Sequence, residues 1–228
     1  RTTRLTVGSL LVAPEGTLEI GTPAQPVAAP LTAEIVIADR PLATTTPDPD
    51  TGVLDPEQFG TSLIVLGSIG LHGAPKIPTW TRLAVEPKAG DTTLHLLEPV
   101  SGWRVGDRVV VPDTRQLQID VPSRIEDKLN NYYQTETPLI AAISTDRKQI
   151  TLAPPLKYDH KGARNPDGTP VFSHAGTRLL PHVGNLTRNV LIRSENPAGT
   201  RGHTMYTHHA TVSIRYAGFY DLGRTTTD

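Results

Sequence analysis

The chain is a succession of apolar alternations no longer than a strand, nearly all closed off by Gly, Pro, Asp or Asn. Leu18-Glu19-Ile20, Glu34-Ile35-Val36-Ile37, Leu63-Ile64-Val65-Leu66, Leu83-Ala84-Val85, Leu94-His95-Leu96 and Arg108-Val109-Val110-Val111 occupy the first half. Leu139-Ile140-Ala141-Ala142-Ile143, Gln149-Ile150-Thr151-Leu152, Asn189-Val190-Leu191-Ile192 and Thr211-Val212-Ser213-Ile214 continue the pattern. Runs this short with period-two character predict strands, not helices. The 21 prolines and 19 glycines in 228 residues agree, because both break helices and punctuate turns.

A β-sandwich and a solenoid both fit this spacing. Two features favour the solenoid. Val190 and Val212 open similar strands about one solenoid repeat apart. Two-residue hairpin turns of the Asn-Gly kind are also missing between close strands, and Asp167-Gly168 falls in a polar loop. The expected fold class is therefore all-β, a parallel β-helix with inserted loops and at most one short helix. That helix is placed at Ser123–Leu129, with Ser123 as N-cap and Glu126 three residues on. Thr44–Gly60 and Lys161–His174 read as polar excursions from the scaffold.

Composition narrows the function. Lys and Arg number 22 against 23 Asp and Glu, a net charge of -1, so no basic field draws the chain to nucleic acid. No apolar run approaches the roughly 20 residues of a membrane helix. Without cysteine there is no disulfide, thiolate metal site or cysteine nucleophile. Any metal would be a divalent ion on His and Asp. Serine-hydrolase, phosphate-loop and zincin signatures are absent. The chain opens on Arg1 and reads as part of a longer secreted protein, extracellular or at the cell surface.

Three blocks carry a family resemblance. They are Gly67–Lys76 with Thr79–Leu83, Gly102–Val111 with Thr114, and Leu186–Ser194 continuing through Gly202-His203 to Asp221–Arg224. Together they resemble the eight-glycine (G8) domain and adjoining β-helix of the cell-migration-inducing and transmembrane hyaluronidase families and of bacterial secreted proteins. The resemblance implies a right-handed parallel β-helix and a link to extracellular polysaccharide, with hyaluronan depolymerised by the animal members. The lack of cysteine points to a bacterial-type branch. One β-helix domain is expected over 1–228, with 16–155 resembling the eight-glycine domain and 175–228 forming further coils.

Candidate chemistry concentrates at Gly202-His203-Thr204-Met205-Tyr206-Thr207-His208-His209. His203, His208 and His209 could share a metal, or His203 and His209 with Asp221 could move protons. On one uninterrupted strand His203 and His209 share a face and His208 opposes them. Hydrogen bonding along the sheet is the ordinary role for such histidines. His72, Lys76 and Trp80 border a short loop, where an aromatic ring can stack on a sugar and the ammonium can meet a uronate. Core anchoring is the ordinary role of Trp80 and Trp103. Three readings remain: a polysaccharide hydrolase or lyase, a glycan-binding module, and a structural or adhesive solenoid that homo-oligomerises through open ends.

Overall fold

The computed structural model describes residues 2–40, 47–55, 59–115 and 134–223. The helix expected at Ser123–Leu129, Arg224 and part of the Thr44–Gly60 loop lie outside them. Among the described residues every regular element is a strand. Contacts divide the chain, expected to be one domain, into two compact units: Arg1–Pro75 with Arg188–Asp228, and Lys76–Thr187.

The first unit begins with β1 (Thr3–Val7), β2 (Leu10–Val12), β3 (Thr17–Ile20), β4 (Ala33–Ile37), β5 (Ser62–Val65) and β6 (Ser68–His72). The chain then builds the second unit from β7 (Trp80–Arg82), β8 (Thr93–His95), β9 (Val109–Val110), β10 (Leu139–Ile143), β11 (Gln149–Ala153) and β12 (His182–Asn185). It returns to the first for β13 (Val190–Ser194), β14 (His203–Tyr206), β15 (Thr211–Arg215) and β16 (Ala217–Tyr220).

Strands of the first unit enter three sheets in rotation, in the orders β1-β4-β13-β16, β2-β5-β14 and β3-β6-β15. All their pairings are parallel. Parallel register stacks like on like: Leu5, Ile35, Ile192 and Phe219 form one row, and Leu18, Ile69 and Val212 another. The central rungs Ile35, Ile37, Leu63, Val65, Ile69, Leu71, Val190 and Ile192 form the core. Backbones approach so closely at the corners that side chains are excluded. A Cβ on Gly67 would collide with the carbonyl oxygens of Ala13 and Gly16, and one on Gly73 with that of Tyr216. Asn189, 9% exposed, pins another corner. Its Oδ1 accepts from Ala74 N at 2.7 Å, and its Nδ2 donates to the carbonyls of Val27, Ala28 and Leu31 at 3.0–3.1 Å.

The second unit is antiparallel, in the orders β10-β11-β8 and β7-β12-β9, so parallel pairing does not extend through the chain. Leu83, Leu94, Trp103, Val109, Ile140, Ile150 and Val183 lie in its core. The β10-β11 hairpin escaped the sequence reading because its turn carries no Asn-Gly. Arg147 takes the left-handed conformation instead, at φ 60°. Its guanidinium donates to Val100 O at 2.5 Å and Trp103 O at 2.8 Å, and these bonds offset the strain of a non-glycine residue there.

Candidate functional site

The histidine-rich segment is split between a strand and a turn. Strand β14 ends at Tyr206, and Ala210 N donates to Thr207 O at 3.0 Å to close a turn. The strand-parity argument for His203 and His209 therefore fails, because they sit on different elements. His203 is on β14 with both ring nitrogens shielded from solvent. His208 and His209 are exposed in the turn, their rings 3.7 Å apart between centroids and tilted by 43°. Asp221 is exposed at φ 54°, and its backbone carbonyl accepts from Ser194 Oγ at 2.7 Å. Among the described residues no group of three or more His, Asp or Glu side chains gathers to hold a metal ion.

Two of the three proposed sugar contacts are interior. His72, 3% exposed on β6, places Nδ1 3.2 Å from Gly21 O and Nε2 3.0 Å from Ser213 Oγ. Lys76 is 4% exposed and donates to Asp107 Oδ2 at 2.6 Å and Gly102 O at 3.0 Å. Arg104 N and Asn185 Nδ2 donate to the same Oδ2 at 2.9 and 2.8 Å. Buried polar groups demand partners, and these two side chains are consumed in supplying them. Neither is available to a sugar.

Trp80 is different, at 60% exposure. Alternation along β7 turns Thr81 inward, with Trp80 and Arg82 on the opposite face. The partner β12 buries Val183 and Asn185 and presents His182 and Gly184. Register sets Trp80 opposite Gly184 and Arg82 opposite His182, while Val110 of β9 flanks Gly184 on its other side. The Trp80 and His182 rings meet edge to face, centroids 5.1 Å apart at 65°. Since Gly184 has no side chain, Trp80 and Val110 draw in over it: a Cβ there would lie 3.3 Å from Val110 Cγ1 and 3.7 Å from Trp80 Cβ. Desolvation first, and then the Arg82 charge, hold His182 below the usual imidazole range. Arg82 makes no ion pair with a carboxylate among the described residues. An apolar ring, an imidazole whose protonation is disfavoured and a guanidinium thus share one face.

Sequence reasoning named Trp80 and missed Arg82 as its companion. The dipeptide alternation Trp80-Thr81-Arg82 carries the parity signal. The pairing with His182, about a hundred positions away, is a tertiary fact.

Against known proteins the N-terminal part is the most informative. Residues 1–84 match the G8 domain family. Human Fibrocystin-L is 38% identical over 132 residues, which is 57% of this chain and 3% of that protein. A G8 domain-containing protein of Dictyostelium discoideum is 30% identical over 155 residues, 65% of this chain and 11% of its own. The chain thus spans a small fraction of the curated relatives it matches. Among solved structures, the Gp54 tailspike of Acinetobacter baumannii bacteriophage AP22, in complex with capsular saccharide, aligns with 96% of this chain and 29% of its own. The TM-score is 0.32 and the identity 10%. The tailspike gp61 of Pseudomonas phage phi297 gives 0.34 and 11%, covering 26% of that chain. No helix among the described residues is long and apolar enough to cross a membrane.

Proposed function

We propose that this chain is a glycan-binding part of a secreted or cell-surface protein, and that its ligand lies on the outer face of β7-β12-β9. The observation that carries this reading is Trp80, whose ring stays 60% exposed beside His182 on a face that also offers Arg82. Sugar rings present apolar C–H faces that stack on such an indole, while their hydroxyls bond to the neighbouring polar groups. The first unit is the scaffold, three circuits of a parallel β-helix, a reading supported by the rotation of its strands through three parallel sheets. The hyaluronidase side of the family resemblance makes hyaluronan one probe among several.

Affinity electrophoresis through gels containing hyaluronan, chondroitin, pectin, alginate or dextran tests the reading. Retardation by at least one polysaccharide is expected, and Trp80→Ala should weaken it about tenfold. The reading fails if no polysaccharide retards the protein, or if Trp80→Ala is retarded as strongly as the parent.

A further inference from the structure

A second recess in the Lys76–Thr187 unit has a different character. It encloses roughly 390 Å³ between residues 114–115, Gln134 and residues 159–164, within the size range of small-molecule sites. Arg115, Lys161 and Arg164 contribute cations to its wall, and Thr114, Gln134 and Asp159 contribute neutral and acidic hydrogen-bonding groups.

The wall is built before any ligand arrives. Arg115 is clamped by Asp113, with Nη2 2.6 Å from Oδ2 and Nε within 3.2 Å of both carboxylate oxygens. Arg164 Nη2 lies 2.6 Å from both oxygens of Glu86, which also accepts from Gly162 N at 2.8 Å. Burial works to raise the pKa values of these two carboxyls, but the arginine and backbone bonds outweigh it and hold both below the usual range. Behind the wall, His160 is fully buried, with Nδ1 2.8 Å from Pro112 O and Nε2 3.0 Å from Glu136 Oε1. Glu136 also accepts from Lys157 N and Tyr158 N at 2.8 and 3.2 Å. Asp159 Oδ1 accepts from Ala89 N at 2.9 Å. Residues 157–164 are therefore tied through six of their number, Lys157, Tyr158, Asp159, His160, Gly162 and Arg164, which lowers the ordering cost of binding.

Charge decides the ligand class. Arg115 and Arg164 already face carboxylates, whereas the exposed Lys161 has no carboxylate within ion-pair distance among the described residues. Arg178 shares Glu86 with Arg164, so the four cations Arg115, Lys161, Arg164 and Arg178 stand against the three carboxylates Glu86, Asp113 and Asp159, and a net single positive charge beside several hydroxyl-bonding groups suits a ligand with a single negative charge and several hydroxyls. We propose that this recess binds a small polyhydroxylated carboxylate, of the aldonic or uronic acid class, with Lys161 as the carboxylate receptor and Thr114, Gln134 and Asp159 meeting its hydroxyls. This site is separate from the Trp80 face and does not depend on it.

Titration calorimetry of the full chain at low ionic strength, with D-gluconate, D-galacturonate, sorbitol and inorganic phosphate as probes, tests the assignment. Saturable binding of at least one sugar acid is expected below about 10 mM, with sorbitol at least tenfold weaker. Lys161→Gln should weaken the acid about tenfold, to near the level of sorbitol, without changing the circular dichroism spectrum. Trp80→Ala should leave sugar-acid binding intact, so failure here is distinguishable from failure of the polysaccharide reading. Absence of saturation, phosphate binding as tight as the sugar acid, or unchanged affinity in Lys161→Gln would each overturn the proposal.

Discussion

Removing the carboxylate of Asp107 should unfold the second unit more readily than removing the lysine it holds. Asp107 Oδ2 receives Lys76 Nζ, Arg104 N and Asn185 Nδ2, all within 2.9 Å, at a residue only 5% exposed. In Asp107→Ala the Lys76 ammonium stays in the interior with only Gly102 O to accept from it among the described residues, and two further donors lose their acceptor. Stranding one member of a buried pair costs about 3–5 kcal/mol, a large share of the roughly 5–15 kcal/mol that holds a domain together. Lys76→Met leaves a carboxylate that still accepts two neutral donors, so its expected cost is smaller, about 1–3 kcal/mol. Combining the two substitutions removes the stranded charge and should recover part of the loss in Asp107→Ala. Urea unfolding followed by Trp103 fluorescence reads this directly, because Trp103 is 1% exposed in the same unit and Trp80→Phe silences the only other indole. A loss below about 1 kcal/mol in Asp107→Ala, or a greater loss in Lys76→Met, would refute the argument that the buried charge sets the cost.

Asn189→Ala should destabilise the first unit by about 3 kcal/mol in urea unfolding, since the buried Ala74 N–H and the carbonyls of Val27 and Leu31 lose this partner together, while Ala28 O keeps only Leu31 N. Glu34 lies between Arg4 and Arg193, each Nε at 2.5 Å; desolvation opposes its ionisation, but the two arginines win and lower its pKa. A depressed carboxyl contributes stability that is present above the unfolded value of about 4.3 and is lost as pH falls through the folded value. The thermal midpoint of the first unit should therefore drop below about pH 4.5, and Glu34→Gln should flatten that drop. His208→Ala and His209→Ala should each shift stability by no more than about 0.5 kcal/mol by the same unfolding assay, because both side chains are exposed.

The strands were largely legible. Glu34–Ile37, Leu63–Leu66, Gln149–Leu152 and Asn189–Ile192 overlap β4, β5, β11 and β13, since period-two alternation is a local property. What pairs with what was not legible: Val190 and Val212, read as one repeat apart, lie on β13 and β15 in different sheets, and the residue stacked on Val190 one circuit later is Ala217. The antiparallel second unit was not legible either, because its β12 reaches back about a hundred residues to β7. Lys76 and His72 show the same limit in the candidate site. A lysine next to a proline-rich loop looks exposed in sequence, and only Asp107, 31 positions on, makes its burial possible. The shared face expected of His203 and His209 was lost for a smaller reason, since a turn at Thr207 breaks the strand on which the parity rested.

The two tryptophans show how strand register leaves Trp80 exposed. Trp103 is 1% exposed, and burial obliges it to place its indole N–H, which it does on Pro78 O at 2.9 Å. Trp80 could gain the same burial through a one-residue slip of β7, which exchanges the two faces of a strand. That slip would turn Thr81 outward and displace Leu83, which is fully buried in the core just beyond the strand. The register therefore follows from the inward row, and Trp80 faces water as its consequence. The resulting exposure forgoes roughly 3–4 kcal/mol, taking 60% of an indole side chain of about 250 Å² at about 25 cal/mol/Å². A polar residue at position 80 would keep the same register without that loss. A single exposed apolar side chain is unremarkable by itself. In company with His182 in edge contact and Arg82 beside it, the retained indole supports the proposed glycan face.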